Sequence, residues 1–203
     1  MKMIKFITVF SVCTLMLSCA NSTDKLTDLA TLSTDFEMDM RYATDNNFLD
    51  EVLYDCGTCL LLTDVANALN DANAYFMEKG YRIKIYDCYR PLDVQKKMFK
   101  KVPNPMYVAD PEKGSIHNRG GAVDITLVTI DGKEVPMGTD HDHFGEEAHI
   151  DYTNLPKEVL NNRALLQDGM KQFGFEVLQS EWWHFNHKSA DGHPVMNEPL
   201  PCK

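Results

Sequence analysis

Residues 115–126, Ser-Ile-His-Asn-Arg-Gly-Gly-Ala-Val-Asp-Ile-Thr, constrain this chain more than any other stretch. The β-rich alternation from 121 to 130 reads as a strand, with Asp124 set among Ala122, Val123, Ile125 and Leu127. A carboxylate in such a run is costly to bury unless it is paired or bound to a cation. Gly120 and Gly121 allow a tight bend that brings His117 back over the strand. Far downstream, Ser180-Glu181-Trp182-Trp183-His184 offers a second histidine beside a carboxylate. Two His and one Asp are a common ligand set for a catalytic zinc, leaving one position open for water. A spare Glu is the proton acceptor that hydrolysis at such a centre needs. His117, Asp124 and His184 are therefore the candidate metal ligands, for one Zn2+ per chain, and Glu181 is the candidate general base.

Other residues compete for these roles. His141 and His143, in Thr139-Asp140-His141-Asp142-His143, form a rival metal-like cluster, although a charged, His-rich loop is more often simply solvated. Strand geometry also raises an objection. Positions three apart point to opposite faces of a regular strand, so Glu181 and His184 converge only across a bend or bulge at Trp182-Trp183. The two tryptophans are read as core or pocket-wall packing. Arg90, in Asp87-Cys88-Tyr89-Arg90-Pro91, reads from its neighbours as one half of an ion pair with Asp87.

The spacing Ser-x-His-x-x-Gly-x-Ala-x-Asp, present as Ser115, His117, Gly120, Ala122 and Asp124, resembles the D-alanyl-D-alanine dipeptidases of the VanX type. These are zinc D,D-peptidases related in fold to the hedgehog signalling domain. The Glu-x-x-His half of their signature is present as Glu181 and His184. Arg41-Tyr42-Ala43-Thr44 and Tyr86-Asp87-Cys88-Tyr89-Arg90-Pro91 match in the same order. The resemblance implies a single α+β domain with a central, mainly antiparallel sheet flanked by helices. It implies hydrolysis of a small D,D-dipeptide, with irregular backbone at Trp182-Trp183. It implies that Arg90 stabilises the tetrahedral oxyanion, that Asp142 and Tyr42 hold the substrate ammonium, and that Ser115 bonds the C-terminal carboxylate. Two alternatives stay open: a D,D-carboxypeptidase or endopeptidase acting on peptidoglycan stems, and a non-catalytic, zinc-containing wall-binding module. The second has no use for Glu181 beside the metal.

Lys2 and Lys5 precede an apolar run over roughly 4–17, which reads as a secretory signal peptide over residues 1–18. It ends Met16-Leu17-Ser18-Cys19, a lipobox-like close that makes Cys19 the candidate lipidation site. The expected organisation is a signal peptide over 1–18, a flexible tether over 19–34 and a catalytic domain over 35–203. Localisation would be periplasmic or outer-membrane-anchored. Export does not suit the family's best-known role, destruction of D-Ala-D-Ala in the cytoplasm, and suits salvage of D-alanine from wall turnover. Removing 1–18 takes away two lysines and no acid, so the net charge falls from -10 to -12. That argues against a nucleic-acid partner and against electrostatic adhesion to anionic lipid. The oligomeric state is not written in the sequence.

Cys56, Cys59, Cys88 and Cys202 follow the candidate lipid site and allow up to two disulfides in three connectivities, or buried free thiols. The Cys56-x-x-Cys59 spacing lacks the second motif or thioredoxin-like context that would make it a redox or zinc site. Helices are expected over 63–79, where Val65, Leu69, Ala72 and Phe76 share a face, and over 91–100 and 156–172. Thr63 or Asp64 would cap the first and Gly80 end it. Strands are expected over 35–42, 81–86, 121–130, 133–136, 175–178 and 181–187, with an irregular connection over 101–116.

Overall fold

The computed structural model describes residues 25–202. Its strands are β1 (Leu26–Asp28), β2 (Glu37–Met38), β3 (Leu60–Leu62), β4 (Tyr81–Asp87), β5 (Ala122–Thr129), β6 (Phe175–Leu178) and β7 (Glu181–His187). Its helices are α1 (Thr63–Met77), α2 (Leu92–Lys101) and α3 (Lys157–Gln172). Five strands form one sheet in the order β2-β4-β5-β7-β6, antiparallel except for the β2·β4 edge pair. The α+β expectation holds.

Alternation along β4 and β5 sorts the side chains into two layers. Ile83, Ile85, Val123, Ile125 and Leu127 are fully buried and join Val65, Leu69 and Phe76 of α1 in the core. Each such side chain contributes about 1.5–3 kcal/mol by leaving water. Helices α1 and α3 meet so closely at Gly169 that a Cβ there would lie 2.3 Å from Cζ of Phe76.

Four expectations are corrected. Residues 25–34 are not a tether: Leu26 and Leu62 pair across a two-stranded sheet of β1 and β3, and Leu29 is fully buried. The polar neighbours disguise two leucines that the domain needs, and the Thr63 hydroxyl bonds the Lys25 carbonyl instead of capping α1. The 35–42 strand shrinks to Glu37–Met38, because the chain turns inward over Arg41–Ala43 to bury Tyr42. Around 133–136 only a single bridge, Val128 to Glu134, is made. The signal peptide, Cys19 and residues 19–24 lie outside the described residues.

The cysteines pair as Cys56–Cys202 and Cys59–Cys88. The first ties the C-terminal segment to the loop before β3, and the second joins that loop to the end of β4.

Candidate active site

Strand register builds the centre. Asp87 of β4 is paired with Asp124 of β5, and Asp124 with His184 of β7, so three polar side chains form a row across adjacent strands. The β4–β5 register shifts between Ile85 and Asp87, which lets both aspartates reach one face. His117 enters from above. It opens a single helical turn, His117–Arg119, closed by Gly120 at φ 68°, a conformation that favours glycine. Gly121 is needed for space, since a Cβ there would sit 1.9 Å from Cβ of Ala190. The glycine pair thus bends the chain as expected, one residue for its dihedral and the other for close packing.

Glu181 and His184 converge. The β6–β7 register shifts between the Val177–Phe185 and Leu178–Glu181 pairs, so Trp182 to His184 are the irregular stretch. Glu181 Oε2 then lies 3.9 Å from His184 Nδ1. Trp182 Nε1 donates to Thr139 Oγ1 at 2.8 Å, and both tryptophans are buried.

The hydrogen bonds around the histidines decide what the centre can hold. His117 donates from Nδ1 to the Cys88 carbonyl at 2.7 Å, so its Nε2 carries a lone pair. His184 Nε2 donates to Asn186 Oδ1 at 2.8 Å, which leaves a lone pair on Nδ1. These two nitrogens stand 3.2 Å apart, and Asp124 Oδ1 lies 3.3 Å from the first and 3.0 Å from the second. Three electron-rich atoms, all from buried residues, therefore face one another, an arrangement that a cation relieves. The donor set fits the zinc that its chemistry implies. Burial alone would raise the Asp124 carboxyl, but the surrounding His117, His141 and His184 hold it well below the usual range.

The rival histidines separate. His143 is exposed and pairs with Glu147 at 3.1 Å, whereas His141 is buried with Nε2 3.5 Å from Asp124 Oδ2. Neither belongs to the convergent trio.

Tyr42, Arg90, Ser115, His117, Asp124, Asp142, Glu181 and His184 all line one cavity of about 500 Å³. Arg90 is both a structural partner and a cavity residue. Its Nε and Nη2 donate to Asp87 Oδ2 at 3.1 and 2.7 Å, and Nη1 donates to Gln95 Oε1 at 2.8 Å. Nη2 reaches to 4.0 Å from Asp124 Oδ2. The Tyr42 hydroxyl donates to both oxygens of Asp142 at 3.1 and 3.0 Å, and burial, then Asp142, keep that phenol protonated. Ser115 Oγ accepts the His117 N–H at 3.2 Å. Burial pushes the Glu181 carboxyl up to about 7, and a cation at the trio would draw it back down.

Sequence reasoning passed over several supports. Tyr54 donates to Asp87 Oδ1 at 2.7 Å, and Asn118 donates to the Arg90 carbonyl at 2.8 Å while accepting the Ser115 N–H at 2.7 Å. Asn118 sits inside the 115–126 motif and could have been noticed there. Tyr54 and Gln95 carry no local signal.

Comparison with known proteins identifies the family. The sequence model of the peptidase M15 family, D-ala-D-ala dipeptidase, matches residues 22–202. A D-alanyl-D-alanine dipeptidase of Escherichia coli (strain K12) is 34% identical over 182 residues, covering 90% of this chain and 94% of that protein. One from Enterococcus faecalis is 26% identical over 184 residues, covering 80% and 87%. Among solved structures, VanYB in complex with D-Alanine-D-Alanine is similar at 16% identity and a TM-score of 0.43, over 64% of this chain and 72% of that one. With its family model matched across almost the whole sequence, this chain belongs to the D-Ala-D-Ala dipeptidase family of metallopeptidases.

Proposed function

We propose that this chain hydrolyses D-Ala-D-Ala to two molecules of D-alanine, with one Zn2+ held by His117, Asp124 and His184. The observation that carries the reading is the bracketing of the ligand trio inside one cavity. Glu181 stands 3.9 Å from His184 on one side, and Arg90 stands 4.0 Å from Asp124 on the other. When bound, zinc supplies Lewis acidity that polarises the substrate carbonyl and acidifies water. Glu181 takes the proton from the attacking water and returns it to the leaving amine. Burial raises the Glu181 carboxyl and strengthens it as a proton acceptor, and a cation beside it would offset part of that rise.

The Arg90 guanidinium, locked by Asp87 and Gln95, faces charge that develops on the carbonyl oxygen in the transition state. Because its partners are fixed before substrate arrives, little reorganisation is spent at that moment. Asp142 and Tyr42 receive the substrate ammonium, and Ser115 receives the carboxylate. Phe48 and Tyr107 also line this cavity, and both rings pack on Phe144, at 5.1 and 4.5 Å.

The test compares D-alanine release from free D-Ala-D-Ala and from a D-Ala-D-Ala-terminated pentapeptide. Wild type, Glu181→Ala and chelator-treated protein are run side by side. Dipeptide turnover that needs both metal and Glu181 is the expected result. Pentapeptide turnover would move the protein to stem trimming, and zinc binding without either activity would make it a wall-binding module.

The chain is further proposed to be an exported lipoprotein anchored through Cys19, acting in D-alanine salvage outside the cytoplasm. Two disulfides among the described residues support an oxidising compartment. Metabolic labelling with a tritiated fatty acid checks this. Label should enter wild type and not Cys19→Ala, and mature protein found unlabelled in the cytosol would overturn the proposal.

A further inference from the structure

His141 is unused by the chemistry described so far, yet its side chain is only 1% exposed and stands between two of the cavity's carboxylates. Its Nδ1 lies 3.2 Å from Asp142 Oδ2, and its Nε2 lies 3.5 Å from Asp124 Oδ2. Aromatic rings hold the imidazole from two sides: Tyr86 at 4.8 Å and 33°, and Trp183 at 5.4 Å and 67°. The ring cannot turn away from either carboxylate without breaking this packing.

Asp124 makes the consequence clear. Its Oδ1 is given to the ligand centre, facing His117 and His184. Its Oδ2 has His141 at 3.5 Å and Arg90 at 4.0 Å. A carboxylate pinned at one oxygen only is free to rotate about its terminal torsion and exchange the two. Asp142, whose oxygens also accept from the Tyr42 hydroxyl, has a left-handed backbone at φ 61°, uncommon outside glycine.

We propose that His141 is a positioning residue that braces the metal-ligand carboxylate Asp124 against the ammonium-binding carboxylate Asp142. One buried ring thereby sets the spacing between the metal centre and the end of the dipeptide. The inference rests on the roles given to Asp124 and Asp142 above.

The test uses three variants of the full chain. His141→Phe keeps the volume and stacking but removes both nitrogens. In His141→Asn the amide falls near the position of Nδ1, and in His141→Gln near that of Nε2. Zinc affinity is read by competition with a chromophoric chelator, kcat and KM with D-Ala-D-Ala, and folding by thermal melting. His141→Phe should weaken zinc about 10- to 100-fold, as loss of a partner behind a metal ligand does. It should also raise KM about tenfold, as loss of a contact to a charged group does. His141→Asn should restore KM but not zinc affinity, and His141→Gln the reverse.

Wild-type zinc affinity and KM in a folded His141→Phe protein would overturn the proposal. So would variants that fall together without this split, since simple packing damage does not distinguish the two carboxylates. Wild type that binds zinc but does not turn over D-Ala-D-Ala would remove the substrate half together with the function proposed above. The zinc affinity of the three variants would still decide whether His141 holds Asp124.

Discussion

The two faces of β5 are made from alternate residues of one strand, yet they are held together by different physics. On one side Val123, Ile125 and Leu127 are fully buried in the apolar core that α1 also joins. That stabilisation is non-directional and scales with area. On the other side Asp124 is equally buried but depends on angles and distances to His117, His141 and His184. Buried charge of that kind is a weak source of stability, because desolvation offsets much of the attraction. The first face makes the fold and the second spends part of the resulting stability on a cation site. Damage to one face should therefore be separable from damage to the other.

The strongest break is on the polar face. Glu181→Gln should lower kcat by about 10²–10⁴, or about 3–5 kcal/mol of barrier, with zinc content and melting temperature unchanged. A variant that melts early would show that Glu181 also holds the fold. The converse is Ile125→Ala, which removes a fully buried side chain of the core. It should cost about 2–5 kcal/mol in urea unfolding while leaving kcat per folded molecule intact. A fall in kcat at full folding would show that the faces communicate.

The Cys59–Cys88 bridge probes the connection itself, because the Cys88 carbonyl accepts the Nδ1–H of His117. The double variant Cys59→Ala, Cys88→Ala should lose about 2–4 kcal/mol and should weaken zinc as well. Stability loss with unchanged zinc affinity would confine the bridge to the scaffold. Gly169→Ala is the mildest. Its Cβ meets Phe76 at the α1–α3 contact, and overpacking should remove about 1–3 kcal/mol with no kinetic effect. A melting temperature at or above wild type would mean that the helices separate freely.

Much of this was legible along the chain, where the information is local. The apolar steps at Val65, Leu69, Ala72 and Phe76 define α1, and the alternation around Asp124 defines β5, because periodicity and burial go together. The spacing of His117, Asp124, Glu181 and His184 pointed to one centre before any contact was known. Less was legible where the partner is distant. Leu60–Leu62 has no alternation, and Leu26 sits among polar residues, so β1 and β3 are recognised only through each other. Tyr42 ends β2 early because its ring is drawn beneath Arg90, at 5.1 Å from the guanidinium.

The sequence by itself determined which chemistry was present: a cation-binding donor set, a spare carboxylate, a guanidinium, and helices and strands long enough to carry them. These follow from residue type and spacing, which are local properties of a chain. The tertiary structure alone decided the row of Asp87, Asp124 and His184, the choice of one cysteine pairing among three, and the place of His141 behind Asp124. Those outcomes depend on strand register, bulges and loop closure. Such contacts lie far apart in the chain, and they are selected by packing of the whole domain rather than by any segment within it.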